Sequence, residues 1–339
     1  MRYLGSKTSL LQEIWNIVED YKKEGVFCDP FGGIGTVGGY MKKKGYQVIT
    51  GDILYFAHCF QTAIIENNGE VSYKKVKEFL SVDTDSEIED YLNTLSVNDG
   101  WLINEYARKR KYFTEENAKH IQASIDCIQY WKTKGILNDK EYKVMIASLI
   151  QSFDKVANTA GTYYAFLKEY YRKAKRPFDF KFIQPYESKK TCNSYCMSAE
   201  QLVEQCECDI LYLDPPYNER NYGRYYHLPE NIAKGITPIP EGKSGIYVKD
   251  LINSSYNKKS EATEKFNELI DKAKSGCIIF HYTDDGLIKV DDARKILRKK
   301  GKVEEFYFDC KGYNTVTNME GCRHHIIRVI RDEDVARIK

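Results

Sequence analysis

The sequence predicts an α/β fold, in which short apolar strands alternate with helices. Two strand-like segments, residues 26–29 and 47–50, flank a glycine-rich turn and a helical pattern, and together they predict a βαβ unit. Further apolar runs return at residues 209–213 and 277–280. Strands that are apolar almost throughout are typical of a mostly parallel sheet with both faces buried.

Length and composition indicate the number of domains, the cellular compartment and the distribution of charge. The chain has 339 residues, which suggests two domains or one domain with a large insertion. No apolar run approaches the length of a membrane span, and the N-terminus lacks the apolar core of a secretory signal, so we expect a cytoplasmic protein with reduced cysteines. The net charge is only +2 despite 51 basic residues, so any nucleic-acid surface must be local.

The remaining elements follow in chain order. Apolar residues between positions 10 and 21 repeat at helical spacing after Ser6, which we expect to cap that helix. Residues 66–188 are polar, rich in lysine and tyrosine, and mostly helical in pattern; their clearest helix is predicted at residues 139–156. Residues 303–308 and 325–330 are expected to pair as a terminal hairpin. We therefore predict one α/β domain, residues 1–65 and 189–339, interrupted by a helical insertion at residues 66–188.

The glycine-rich turn at residues 29–38 indicates a ligand site. Gly33, Gly35 and Gly38 satisfy the G-x-G-x-x-G pattern, and Asp52 follows about 20 residues after Gly33, which suits a dinucleotide or another adenosine-bearing cofactor. A plain tight turn before a helix would also use glycines. The carboxylate of Asp29 favours S-adenosylmethionine, because it can pair with the amino group of that cofactor and would repel a pyrophosphate.

A second motif, Asp214-Pro215-Pro216-Tyr217, follows the strand-like run at residues 209–213. The carboxyl end of a sheet strand is where α/β proteins bind ligands. Asp214 and the carbonyl of Pro215 can accept both hydrogen bonds of a planar exocyclic amine while Tyr217 stacks on its ring. These four residues are therefore the candidate catalytic residues, although a Pro-Pro turn that merely ends a strand is the plainer interpretation.

With these motifs in this order, the chain resembles the Dam-like N6-adenine-specific DNA methyltransferases, in particular the subgroup that accompanies type II restriction systems. The segments that carry the resemblance are residues 3–7, 29–35, 158–168, 214–227 and 280–286. The resemblance implies a Rossmann-like S-adenosylmethionine-dependent methyltransferase sheet with helices on both faces, and a mainly helical target-recognition insertion. It also implies double-stranded DNA as substrate, base flipping, and a separately acting cognate restriction endonuclease as partner.

The same resemblance implies which residues bind S-adenosylmethionine. The expected cofactor-binding residues are Tyr3, Gly5, Ser6, Lys7, Asp29, Pro30, Phe31, Gly32, Gly33, Gly35, Thr36, Asp52, Ile53, Ser198 and Asp214. Ser198 marks a departure, because the family often has an acid near this position. The direct transfer of an activated methyl group requires no metal, and we predict none; four cysteines between residues 192 and 208 lack the usual spacing of a zinc site.

Basic and aromatic residues that occur together are the candidate DNA contacts. They are Arg108, Lys109, Arg110, Lys111, Tyr163, Tyr164, Arg172, Lys173, Arg220, Tyr222 and Arg224. A solvated helix face is the usual alternative for such runs of charge. Three other functions also remain open at this point: methylation of an RNA base or a protein amide, dinucleotide-dependent oxidoreduction, and DNA binding without catalysis.

Overall fold

The computed structural model describes residues 1–247, 251–309 and 323–331. These residues divide into two compact units. A helical unit comprises residues 1–6, 54–187 and 222–252, and a sheet unit comprises residues 7–53, 188–221 and 253–339, as far as these are described. The helical unit therefore takes in residues 1–6, 54–65 and 222–252 in addition to most of the predicted insertion, whose role in target recognition stays a prediction.

The sheet unit is built on a mixed seven-stranded sheet with helices on both sides. Its strands are β1 (Val26–Asp29), β2 (Gln47–Asp52), β3 (Asn193–Cys196), β4 (Glu207–Leu213), β5 (Lys274–Thr283), β6 (Lys302–Asp309) and β7 (Arg323–Ile330). The order is β3-β2-β1-β4-β5-β7-β6, and among these strands only β7 runs in the opposite direction to the others. The predicted parallel sheet and the predicted terminal hairpin are both confirmed.

The sheet has a topological switch point between β1 and β4. From β1 the chain crosses to β2 on one side, and from β4 it crosses to β5 on the other. Cys28 of β1 lies in register with Leu211 of β4, so the carboxyl ends of the two strands lie together. Ligands bind at such a point in open α/β sheets. The motifs predicted from sequence, which begin at Asp29 and Asp214, follow these two strands directly.

The bounds of the helices decide two of the predictions made from the sequence. They are α1 (Leu11–Tyr21), α2 (Thr36–Lys43), α3 (Tyr55–Gln61), α4 (Lys74–Leu80), α5 (Asp85–Thr94), α6 (Glu115–Thr133), α7 (Asp139–Asp154), α8 (Ala199–Gln205), α9 (Tyr222–Tyr225), α10 (His227–Lys234), α11 (Ala262–Lys272) and α12 (Val290–Leu297). The predicted helix at 139–156 is α7, which begins with a capping box formed by Asn138 and Glu141. Ser6 is not the cap of α1, because a 3₁₀ turn at Thr8–Leu10 comes between them.

Each unit has its own apolar interior. In the sheet unit, the buried side chains of α8, α11 and α12 pack with those of β4 and β5, including Leu211 and Phe280. In the helical unit, α7 contributes buried side chains along most of its length and packs against α3 and α6. No helix among the described residues is long and apolar enough to cross a membrane.

Candidate functional site

The glycine-rich turn after β1 brings backbone N–H groups and two carboxylates together. Gly33 and Gly35 adopt left-handed backbone conformations, with φ of 51° and 80°, which glycine adopts without steric cost. Gly33 donates its N–H to Oδ2 of Asp52 at 3.0 Å, and Gly32 donates to the carbonyl of Gly51 at 2.9 Å. The turn is thereby fastened to the end of β2, and Thr36 begins α2 directly after it.

Asp29 is the least satisfied polar group of this turn. Its side chain is only 2% exposed, and its Oδ1 atom has no hydrogen-bond partner. Burial, followed by the negative charge of Asp214, raises the pKa of Asp29 well above its usual value, although the N–H of Phe31 and Lys7 oppose the shift. A buried acceptor without a partner is costly. A cationic group of a ligand would supply both a donor and a compensating charge.

Asp214 is held by Lys7 at the carboxyl end of β4. Lys7 forms a salt bridge with Oδ2 of Asp214, and the two side chains are only 5% and 16% exposed. Burial raises the pKa of Asp214, whereas the charge of Lys7 and its hydrogen bond lower it. The Lys7 ammonium also lies 5.8 Å from the ring centre of Tyr217. Lys7 therefore favours the ionised form of Asp214, which accepts hydrogen bonds and donates none.

Two neighbouring residues position the segment that follows Asp214. Tyr282 packs edge-on against Tyr217, with ring centres 6.3 Å apart. The buried amide of Asn257 donates to the carbonyls of Asn218 and Arg220, at 2.8 and 2.9 Å. Asn257 was not predicted, because a single asparagine in a polar segment has no pattern that distinguishes it. Tyr282 lies within the 280–286 segment that carried the family resemblance.

The other predicted cofactor residues fall in two groups. Pro30, Phe31, Ile53 and Ser198 belong to the sheet unit, where Phe31 packs edge-on against Tyr256. Ser198 caps α8 by accepting a hydrogen bond from the N–H of Gln201, so its side chain already has a structural role. Tyr3, Gly5 and Ser6 belong to the helical unit.

The N-terminal segment is anchored within the helical unit by tyrosines. Tyr3 stacks on Tyr226 with ring centres 5.0 Å apart, and Leu4 donates its N–H to the hydroxyl of Tyr226 at 2.7 Å. Gly5 has φ of 76°, and a side chain there would meet the hydroxyl of Tyr222 at 3.2 Å. Glycine at position 5 thus meets both a conformational and a steric requirement.

Similarity to known proteins shows the family of this chain. Residues 3–296 match the model of the D12 class N6 adenine-specific DNA methyltransferases. The chain belongs to this family. It is 33% identical to the modification methylase StsI of Streptococcus sanguinis over 88% of the chain and 46% of that protein. It is also 33% identical to the type II methyltransferase M.FokI of Planomicrobium okeanokoites, over 90% of the chain and 48% of that protein.

The coverage differs among the relatives. The chain spans about half the length of the StsI and FokI methylases. It is 33% identical to the type II methyltransferase M.NlaIII of Neisseria lactamica over 90% of both chains. Methyltransferases of this family use S-adenosylmethionine as methyl donor. The dinucleotide alternative raised by the glycine pattern receives no support from these relatives.

The residues at the switch point fit this cofactor. S-adenosylmethionine carries an ammonium and a sulfonium, and the sheet unit presents the carboxylates of Asp29, Asp52 and Asp214 against one lysine, Lys7. The unsatisfied Oδ1 of Asp29 provides an acceptor for the ammonium. The left-handed turn at Gly33 lets the backbone approach a ligand closely. The charge and the donor set thus both suit a cationic cofactor.

The basic run at residues 108–111 is occupied by partners within the helical unit. Arg108 pairs with Glu115 at 2.6 Å, and Lys109 and Arg110 both pair with Glu105. Lys111 donates to the carbonyl of Lys168 at 3.0 Å. Binding of DNA phosphates by these side chains would therefore compete with existing ion pairs.

The other predicted DNA contacts differ in accessibility. Tyr163 is fully buried and donates its hydroxyl to Asp154 at 3.0 Å, so its predicted role in DNA contact does not fit the structure. Tyr164 is 43% exposed and stacks on Tyr225 at 4.9 Å. The remaining candidates vary from partly buried to exposed: Arg172, Arg220 and Arg224 are exposed, whereas Lys173 and Tyr222 are partly buried.

Proposed function

We propose that this protein transfers the methyl group of S-adenosylmethionine to N6 of an adenine in double-stranded DNA. The observation that carries the proposal is the buried ion pair of Lys7 and Asp214 within the sequence Asp214-Pro215-Pro216-Tyr217. This motif follows β4 at the switch point, and β1 ends there in the buried carboxylate of Asp29. Family membership and the type II methylases among the relatives support the same reaction.

The cofactor would bind against the turn after β1. Asp29 would accept a hydrogen bond from the methionine ammonium, and Asp52 would bind the ribose hydroxyls in the way that an acid after the second strand does in related folds. Lys7 and the backbone of residues 30–36 would complete the site. When bound, S-adenosylmethionine supplies an activated methyl group on a sulfonium, so the protein needs chiefly to position the two reactants.

Asp214 and Pro215 would polarise the target amine. The carboxylate of Asp214 and the carbonyl of Pro215 accept the two N6 hydrogens, which directs the nitrogen lone pair towards the methyl carbon. Tyr217 stacks on the adenine ring once the base has left the duplex. As the C–N bond forms, the C–S bond breaks and its electron pair stays on sulfur. N6 then loses one proton, for which Asp214 is the adjacent acceptor.

DNA binding would use exposed basic residues close in sequence to this motif. Arg220 and Arg224 flank Tyr222 in the sequence, and exposed Tyr164 stacks on the partly buried Tyr225. Arginines can bind phosphates, and stacked aromatic rings can support an unpaired base. We infer that residues 66–188 recognise the target sequence and that a separate endonuclease acts on the same sequence. Such a role places the protein in the cytoplasm, with DNA.

A host-cell experiment tests the proposal. Plasmid DNA from cells that express the protein is sequenced with detection of modified bases, with Asp214→Ala as the inactive control. We expect N6-methyladenine at one sequence motif with the wild-type protein and none with Asp214→Ala. Unmodified plasmid from cells with folded wild-type protein would contradict the proposal. The RNA, protein-amide and non-catalytic alternatives receive no support from the relatives, and methyl transfer to RNA or protein would revive the first two.

A further inference from the structure

Three cysteines converge in the interior of the sheet unit. Cys28 lies on β1, Cys206 follows α8, and Cys208 lies on β4. Their sulfur atoms all lie within 4.8 Å of one another. Among the described histidine, cysteine and acidic side chains, no other set of three is arranged closely enough to hold a metal ion.

The spacing of these sulfurs is close to that of a thiolate-bound metal. A Zn–S bond of about 2.3 Å places two sulfurs on one ion roughly 3.8–4 Å apart. The observed limit of 4.8 Å therefore requires only small side-chain movements.

The surroundings select the kind of ion. All three cysteines are buried, with exposures of 0%, 7% and 9%, and apolar side chains such as Leu202 and Ile270 belong to the same core. Soft thiolates select soft or borderline ions. A divalent ion leaves a net charge of −1 on three thiolates, whereas a monovalent ion leaves −2, and buried charge is costly.

We propose that Cys28, Cys206 and Cys208 form a binding site for one thiophilic divalent metal ion of the zinc type. Binding replaces the three S–H protons with three metal–sulfur bonds, so one ion enters and up to three protons leave. The three thiolates fill three positions of a tetrahedral ion and leave the fourth to a water molecule or another ligand.

The proposed ion would join the two strands that carry the catalytic motifs. Cys28 immediately precedes Asp29, and Cys208 lies on the strand that leads into Asp214. Binding to the folded state alone stabilises that state. The role is therefore structural, and the methyl-transfer chemistry proceeds without the ion. Sequence spacing does not indicate this site, because Cys28 lies far from the other two along the chain.

Cadmium is the probe, because thiolate-to-cadmium charge transfer absorbs in the ultraviolet. Reduced, metal-free full-length protein is titrated with Cd²⁺, and the absorbance is expected to saturate at one equivalent. Cys28→Ser and Cys206→Ser should lose this signal. Cys192→Ser is the matched control: Cys192 is also buried in the sheet unit, but its sulfur accepts a hydrogen bond from Val48 and lies outside the cluster.

X-ray absorption on the wild-type protein with one equivalent of Cd²⁺ keeps the test independent of variant folding. Three sulfur neighbours around the ion are expected, together with a higher thermal midpoint than that of the metal-free protein. Fewer than three sulfurs, or no saturation at one equivalent, would overturn the proposal. A signal lost in Cys192→Ser but kept in folded Cys28→Ser and Cys206→Ser would overturn it as well.

Discussion

Replacing Asp29 with asparagine distinguishes the free-energy cost of burying its carboxylate from the contribution of that carboxylate to cofactor binding. Asp29 is buried, and its Oδ1 atom has no partner until a cationic ligand binds. Asparagine keeps the shape but removes the charge. A hydrogen bond to a charged group contributes about 1.5–3 kcal/mol, so S-adenosylmethionine should bind roughly 10- to 150-fold more weakly. Isothermal titration calorimetry of the wild-type and variant proteins measures this change directly.

The same substitution should stabilise the ligand-free protein. The folded-state pKa of Asp29 is raised, chiefly by burial, so the folded state loses stability as the pH rises through that pKa. Asparagine does not ionise, so Asp29→Asn does not lose stability in this way. Its thermal midpoint should therefore exceed that of the wild type at pH 8, and the difference should shrink as the pH falls towards the usual pKa of an aspartate.

Asp209→Asn is the matched control, because Asp209 lies in the same sheet with the opposite electrostatics. Partial burial raises its pKa, but Lys22 and the N–H of Val26, which donates at 2.7 Å, bring it below the usual value. Asp209→Asn should lower the thermal midpoint at neutral pH and leave cofactor affinity unchanged. Cofactor binding by Asp29→Asn within threefold of the wild type would contradict the role assigned to Asp29. Destabilisation of Asp29→Asn at pH 8, as expected for Asp209→Asn, would contradict it as well.

Three further predictions concern the neighbouring residues. Lys7→Met removes the cation that lowers the pKa of Asp214, so the acidic limb of the kcat/KM profile should move to higher pH; an unmoved limb would show that Lys7 does not keep Asp214 ionised. Gly35→Ala forces a side chain into a left-handed conformation at about 1–2 kcal/mol, so thermal unfolding should begin several degrees lower, and an unchanged midpoint would contradict that strain. Tyr164→Ala should weaken DNA binding by about 1–3 kcal/mol in a fluorescence anisotropy titration, because Tyr164 is exposed. Tyr163→Phe should reduce only the stability of the fold, because Tyr163 is buried. Weaker DNA binding by Tyr163→Phe, with unchanged binding by Tyr164→Ala, would contradict these roles.

The parts of the fold that follow from local pattern could be predicted. β1 and β4 are apolar runs, and α7 has both an apolar face and a capping box, so each is specified by neighbouring residues. β3 was missed, because Asn193–Cys196 is a short, polar strand at the edge of the sheet. The membership of residues 222–252 in the helical unit depends on contacts distant in sequence, which no local pattern reveals.

In the candidate site, too, some residues could be predicted from local motifs and others depend on contacts distant in sequence. The residues at the ends of β1 and β4 could be predicted from the motifs, because strand ends meet at one edge of a parallel sheet. The pairing of Lys7 with Asp214 and the hydrogen bonds from Asn257 join segments far apart in the chain. Tyr163 and Tyr164 are adjacent and chemically identical, yet only Tyr164 is exposed, and only the three-dimensional packing distinguishes them.

The position of the transferred methyl group tests the central claim most directly. Purified protein is incubated with unmethylated plasmid and S-adenosylmethionine carrying a deuterated methyl group, and the DNA is digested to nucleosides for mass spectrometry. We expect the label on N6-methyl-2′-deoxyadenosine alone, and none with Asp214→Ala. Label on cytosine, or equal labelling by wild type and Asp214→Ala, would contradict it.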